Sequence, residues 1–98
     1  MFARVSRSRI QLDKLDEAIK NTKESIIPAA KSQKGFRGIY ALRDRKTGKS
    51  ITISLWETEE DAIATNERSS YLQGQIAKTT PYRAEEPVIE LYEVVAQG

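Results

Sequence analysis

The spacing of apolar residues in this chain switches back and forth between two residues and three to four, and few folds accept that order of switches. Phe2 to Arg9 alternates between apolar or small and polar residues, the period of a strand with two different faces. From about Asp13 the period lengthens: Leu15, Ala18, Ile19, Thr22, Ile26 and Ala29 or Ala30 share one helical face, and Lys14, Asp16, Glu17, Lys20, Lys23 and Glu24 share the other. Pro28 lies inside this pattern, where it removes a backbone donor and crowds the preceding turn, which predicts a kink or an early helix end. Gly35 suits a left-handed C-terminal cap. Two more strands follow, Phe36 to Arg43 and Ser50 to Glu57, joined by the charged loop Asp44 to Lys49, in which Gly48 can supply a positive φ for a hairpin. Thr58 ahead of Glu59, Glu60 and Asp61 marks a helix start. That helix can run to about Lys78, where Thr79-Thr80-Pro81 stops it. A polar loop through Pro87 leads to the last strand, Val88 to Val95.

The order strand, helix, strand, strand, helix, strand makes two split β-α-β units. Folded together they give an α+β domain, a ferredoxin-like β-α-β-β-α-β sandwich with a four-stranded antiparallel sheet and both helices on one face. With 98 residues the chain has room for one such domain, spanning 1–98. The uncovered face of the sheet then needs an occupant. In the last strand Val88, Tyr92 and Val94 point one way and Ile89, Leu91 and Val95 the other, so both faces are apolar apart from two glutamates. The third strand separates Ile51, Ile53 and Leu55 from Thr52, Ser54 and Trp56. A half-solvated sheet alternates more cleanly. A second copy covering the open face, as a homodimer forming a two-fold α/β barrel, accounts for the pattern.

Composition removes whole classes of chemistry. Without cysteine there is no disulfide framework, thiolate nucleophile, zinc finger or iron–sulfur cluster. Without histidine there is no imidazole acid–base chemistry and no histidine-ligated metal, and the expected cofactor and metal complement is none. A net charge of +2 is too small to argue for nucleic acid or an anionic membrane. A single-stranded RNA platform is disfavoured too, because the first strand lacks exposed aromatics beyond Phe2. No stretch approaches the roughly 18 apolar residues of a membrane span. The first residues run straight into strand alternation, and a cytoplasmic location is the expectation.

The second helix has no strong apolar stripe. One stripe is Ile63, Asn66, Ser70, Gly74 and Ala77, and the next is Ala62, Thr65, Ser69, Leu72 and Ile76. Either the rest of the fold carries a loosely packed helix, or small and hydroxyl side chains line a cavity beside the sheet. Trp56 serves as packing, as pocket wall beside Thr52 and Ser54, or as both. Tyr40, Tyr71, Tyr82 and Tyr92 each have a phenol to offer a ligand or to bury in an interface, and Tyr82 with Arg83 sits in a loop able to act as a lid. Arg4, Arg7 and Arg9 make a basic first strand, open to cross-strand pairing with Glu90 or Glu93 or, for Arg4, to stabilising an anionic ligand. Glu57, Glu59, Glu60 and Asp61 are explained by the helix dipole.

The order of elements, the segment Gln33-Lys34-Gly35-Phe36-Arg37-Gly38 and the segment Ser54-Leu55-Trp56-Glu57-Thr58-Glu59-Glu60-Asp61 resemble the antibiotic biosynthesis monooxygenase family. The resemblance covers nearly the whole chain and implies a dimeric α+β barrel with a pocket in each subunit, between sheet and helices. Cofactor-free members oxidise electron-rich polycyclic phenols with dioxygen; haem-degrading members use a histidine that this chain does not have. The cofactor-free members carry an asparagine four residues before the strand tryptophan, and here Thr52 stands there, four before Trp56. The resemblance implies a small dimeric protein, a cofactor-independent monooxygenase acting on a planar aromatic metabolite. The alternative is a non-enzymatic small-molecule-binding or dimerising scaffold of the same fold. The candidate catalytic residues are Arg4, Trp56 and Tyr71, and the candidate substrate contacts are Thr52, Ser54, Asn66, Ser70 and Tyr92.

Overall fold

The computed structural model describes residues 1–67 and 71–98, with the side chains of 66 and 67 outside the description. Strands β1 (Phe2–Arg9), β2 (Phe36–Arg43), β3 (Lys49–Trp56) and β4 (Val88–Glu93) form an antiparallel sheet in the order β2-β3-β1-β4. This is the expected split β-α-β arrangement, with strand ends within two residues of the sequence reading. Thr58 caps the helix that follows β3, its Oγ1 accepting from the Asp61 N–H at 3.1 Å. That helix is described as α3 (Glu59–Glu67) and α4 (Tyr71–Thr79), either side of 68–70. A single helix running through 68–70 therefore lies outside the described residues.

Between β1 and β2 the chain forms a 3₁₀ turn at Leu12–Lys14, then α1 (Leu15–Asn21), a π-helical turn at Thr22–Ile26 and α2 (Ile27–Lys31). Pro28 does not end the helix early. It sits in the first turn of α2, where a missing N–H costs little, and the wider π turn before it makes room for the ring. The helix stops near Gly35, which takes a φ of 81°. Gly48 takes a φ of 80°, and a side chain there would put Cβ 2.2 Å from the carbonyl oxygen of Ile10. Both glycines have the positive φ that the sequence reading gave them.

A buried cluster of Ile10, Leu15 and Ala18, with Ile19 and Tyr82 packed against it, ties the first helix to the end of β1. The loop of Tyr82 and Arg83 is tied to the end of β1: the Tyr82 carbonyl accepts from the Gln11 N–H at 2.8 Å, and Arg83 forms a β-bridge with Ile10. At the other end of the sheet Trp56 is completely buried. Phe36 meets it edge-on at 6.0 Å. A bulge between Phe36 and Gly38 lets Phe36 and Ile39 share the helix side, and it sends Arg37 outward to Glu57 at 2.9 Å.

The two faces of the sheet reverse the usual polarity. Beneath the helices lie Arg4, Ser6 and Ser8 of β1 and Ser50, Thr52, Ser54 and Trp56 of β3. The opposite face carries Val5, Ile51, Ile53 and Leu55, with Tyr40 and Val88 exposed to 61% and 60%.

Candidate functional site

Where helices cover a floor of serine and threonine rather than leucine, the interior does not fill. A cavity of about 100 Å³ remains between sheet and helices. A single water needs only about 10–15 Å³ on this scale, and native interiors keep few voids larger than one water. Its floor is Ser6, Ser50, Thr52 and Ser54, and its apolar walls include Ile26, Ile39, Leu72, Ile76 and Ile89. No aspartate or glutamate lines it among the described residues.

Arg4 projects from the middle of the sheet and is only 4% exposed. Its Nη2 donates to the Ala62 carbonyl at 2.8 Å and to Thr65 Oγ1, both on α3, while its guanidinium carbon lies 5.2 Å from the Trp56 ring centroid. The face of an aromatic ring attracts a cation electrostatically, but a ring carries no counter-charge. No carboxylate pairs with Arg4 among the described residues, and its buried Nε has no hydrogen-bond partner there. Burial pulls this guanidinium below its ordinary range, with nearby Tyr71 acting in the opposite direction. Arginine nonetheless remains a cation at neutral pH.

Tyr71 opens α4 and lines the cavity, its ring edge-on to Trp56 at 6.4 Å. Burial pushes its phenol above the usual tyrosine range, while Gln75 and Arg4 pull it back. At neutral pH it is a hydrogen-bond donor. Gln75 Nε2 bridges the Tyr71 hydroxyl at 3.3 Å and the Ile26 carbonyl at 2.8 Å, linking α4 to the π turn. Trp56 lies behind this wall: its Nε1 donates to Ser54 Oγ at 3.0 Å, and it supports Arg4 and Tyr71 without lining the cavity itself.

Of the residues singled out from sequence, the fold thus gathers Arg4, Tyr71, Thr52 and Ser54 around one space, with Trp56 beneath. Tyr92 stands on the opposite face of the sheet, 45% exposed beside Arg7 and Glu90. The Asn66 side chain and Ser70 lie outside the described residues. Arg7 pairs with Glu90 across the strands, as this basic strand allowed, while Arg9 pairs with Glu85 in the loop before β4 and Arg4 turns inward. Arg83, singled out with its loop, also lines the cavity, and sequence reasoning missed Arg43 and Thr22, which line it too. Arg43 closes a strand beside a charged loop and reads as part of that loop. Its one signal is that it keeps the strand's period with Ile39.

No family model matches the chain. An uncharacterised protein of Mycobacterium tuberculosis, found in two strains, is 27% identical over 96 residues, covering 98% of this chain and 42% of the relative. The chain therefore spans less than half the length of the curated relatives it matches. Among solved structures, a Nitrosomonas europaea protein assigned by name to the antibiotic biosynthesis monooxygenases superposes with a TM-score of 0.75 at 16% identity, covering 98% of this chain and all of that one. A conserved protein of Methanosarcina mazei gives 0.74 at 15% identity, covering 93% of this chain and 89% of its own. SnoaB, a cofactor-independent oxygenase of Streptomyces nogalater, gives 0.70 at 13% identity, covering 98% and 94%. The chain has the fold of the antibiotic biosynthesis monooxygenases, an α+β sandwich with a cavity between its polar sheet face and its helices, as its sequence resemblance led us to expect.

Proposed function

We propose that the cavity binds a planar aromatic small molecule and that the protein is a cofactor-independent monooxygenase working as a homodimer. The observation that carries this reading is Arg4, a buried cation at the cavity edge with no carboxylate partner among the described residues, next to the protonated phenol of Tyr71. With no carboxylate in the lining among the described residues and no histidine in the chain, these residues are suited to stabilise negative charge rather than to take a proton. That suits a phenol or anthrone already acidic enough to ionise beside a cation. An activated methylene loses a proton, its carbanion reduces and joins dioxygen, and Tyr71 donates a hydrogen bond to the resulting peroxide. One oxygen atom stays as a ketone, and the other leaves as water with the two hydrogens of the methylene. SnoaB, with the same fold, is a cofactor-independent oxygenase, which supports this reaction class. The apolar outer face, with Tyr40, Leu42, Val88 and Tyr92 exposed, supports the homodimer.

A second reading is a non-enzymatic small-molecule-binding protein of this fold, favoured by Thr52 standing where the cofactor-free oxygenases carry asparagine. Oxygen uptake with an anthrone, alongside a titration of the same compound under anaerobic conditions, separates the two. Saturable binding with protein-dependent oxygen uptake supports the oxygenase. Saturable binding without uptake leaves the binding protein, and no binding removes both.

A further inference from the structure

We propose that Arg43 is a second anion anchor, at the end of the cavity remote from Arg4, and that the ligand is a flat organic acid whose carboxylate Arg43 holds. The proposal rests on the reading of the cavity as a ligand site and names the chemical class of what enters it.

The arginines among the described residues divide sharply. Arg7, Arg9, Arg37, Arg45 and Arg83 each pair with a carboxylate, and all but Arg83 do so on the surface, where such pairs contribute little. Arg4 and Arg43 both line the cavity, and among the described residues neither has a carboxylate partner. Arg4 is buried and Arg43 partly buried, and a fold that needed these charges only for stability would gain by pairing them, because an uncompensated ion costs more the deeper it lies. The missing counter-charge points to something that enters the cavity.

Arg43 is held but not satisfied. Its Nη1 donates to the Leu42 carbonyl at 2.9 Å and reaches the Ile51 carbonyl at 3.4 Å, and its Nη2 reaches Thr22 Oγ1 at 3.5 Å. The Thr22 hydroxyl is oriented by its own bond to the Ala18 carbonyl at 3.0 Å, so its lone pairs face the guanidinium. The Arg43 Nε is buried with no partner among the described residues. One Nη2–H and the Nε–H thus keep no acceptor among the described residues, and unspent donors of a planar guanidinium are what a carboxylate satisfies.

Register places the two cations apart. Arg43 lies opposite Ser50, and Arg4 opposite Ser54, on either side of β3. Four residues of strand separate these points, about 13 Å along the sheet at roughly 3.3 Å per residue. Ile39, Ile89, Leu72 and Ile76 wall the cavity. Such walls require hydrocarbon beside the charge, which favours an organic acid over a free inorganic anion.

The test uses isothermal calorimetry at neutral pH with 3-hydroxy-2-naphthoate, its uncharged amide and 2-naphthol, on the wild-type chain and on Arg43→Gln and Arg43→Lys. The acid is expected to bind about tenfold tighter than the amide to the wild type, a ratio typical of one charge-assisted pair. Arg43→Gln should bring the two within about twofold while 2-naphthol binding stays the same. Arg43→Lys keeps the charge without the fork and should retain a reduced preference, which decides the matter if the glutamine variant does not fold. Equal binding of acid and amide to the wild type, or a full preference surviving in Arg43→Gln or Arg43→Lys, overturns the anchor but leaves the cavity a ligand site. Failure of all three compounds to bind overturns the cavity reading, and the anchor with it.

Discussion

The guanidinium of Arg4 lies 5.2 Å from the ring centroid of Trp56, so the chain's single tryptophan is the platform for a buried cation. Arg4 is tied from above to α3 through Ala62 and Thr65. Sheet, aromatic and helix therefore meet at one charged group, and what happens to that group tests both fold and site.

Replacing Arg4 with methionine keeps most of the volume and removes the charge. The lost hydrogen bonds, about 1.5–3 kcal/mol for charged donors, are offset by relief of a buried ion, so stability should change by no more than about 1–2 kcal/mol. Affinity for an ionised naphthol should fall about tenfold or more. Urea unfolding and calorimetry on Arg4→Met check the two halves; unchanged affinity would remove Arg4 from the site.

Trp56 is 0% exposed and touches Phe36, Tyr71 and Arg4 at once. Trp56→Ala should cost about 3–5 kcal/mol, most of the stability of a small domain near the low end of the usual range of about 5–15 kcal/mol. Trp56→Phe should be milder and should still fold. Denaturant midpoints followed by far-UV circular dichroism give the comparison.

Gly48 has no room for a side chain, with the Ile10 carbonyl 2.2 Å from where Cβ would stand and a φ of 80° besides. Gly48→Ala should destabilise by more than the roughly 1–2 kcal/mol of a left-handed L-residue alone. Thermal melting should drop by roughly 4–8 °C for each kcal/mol lost.

Tyr40 and Val88 stand on the outer sheet face, more than half exposed. A charge there leaves the single subunit intact and penalises any apolar partner. Tyr40→Glu and Val88→Glu should shift light-scattering mass from dimer to monomer at micromolar concentration with secondary structure unchanged. A wild type that is monomeric at the same concentration would refute the homodimer.

Burial raises the Tyr71 phenol above its ordinary value of 10.0 in the folded state. As pH climbs past that value, the unfolded chain releases a proton that the native state keeps, so stability falls until the folded phenol titrates as well. Tyr71→Phe should remove its share of this alkaline loss. Urea midpoints at pH 9 and pH 11 for the two proteins measure it, and an identical drop in both would contradict a buried, protonated Tyr71.

The site was half legible before any coordinates. Thr52 and Ser54 emerge from strand alternation, and Tyr71 from its place on a helix without a strong apolar stripe. Arg4 emerges as one of three arginines on a strand, of which only this one turns inward. Arg43 was hidden, because an arginine at a strand end beside Asp44-Arg45-Lys46 reads as loop. Of the two outcomes Pro28 allows, a kink or an early end, the helix does not take the early end: a π turn interrupts the regular α geometry before the proline, and that turn leaves no mark in hydrophobic spacing. The anchoring of Tyr82 is not legible either, since a tyrosine in a polar loop gives no hint that its carbonyl and ring are pinned to Gln11 and the Ile10 cluster.

Sequence alone determined the element order, the sheet's two sets of alternating side chains, the cap at Thr58 and the positive-φ turns at Gly35 and Gly48. Each is a local matter of period, capping or steric freedom. Which of the two sheet faces lies under the helices was decided only by the tertiary structure. A period of two defines two faces and says nothing about which one is covered, and in this chain the helix side holds the serines and threonines of β1 and β3 with Arg4 and Arg43. That choice leaves Ile51, Ile53 and Leu55 looking outward and opens a cavity inside. It also brings Arg4 and Arg43, 39 positions apart in the chain, to the same cavity, because strand register and not sequence distance sets what faces what.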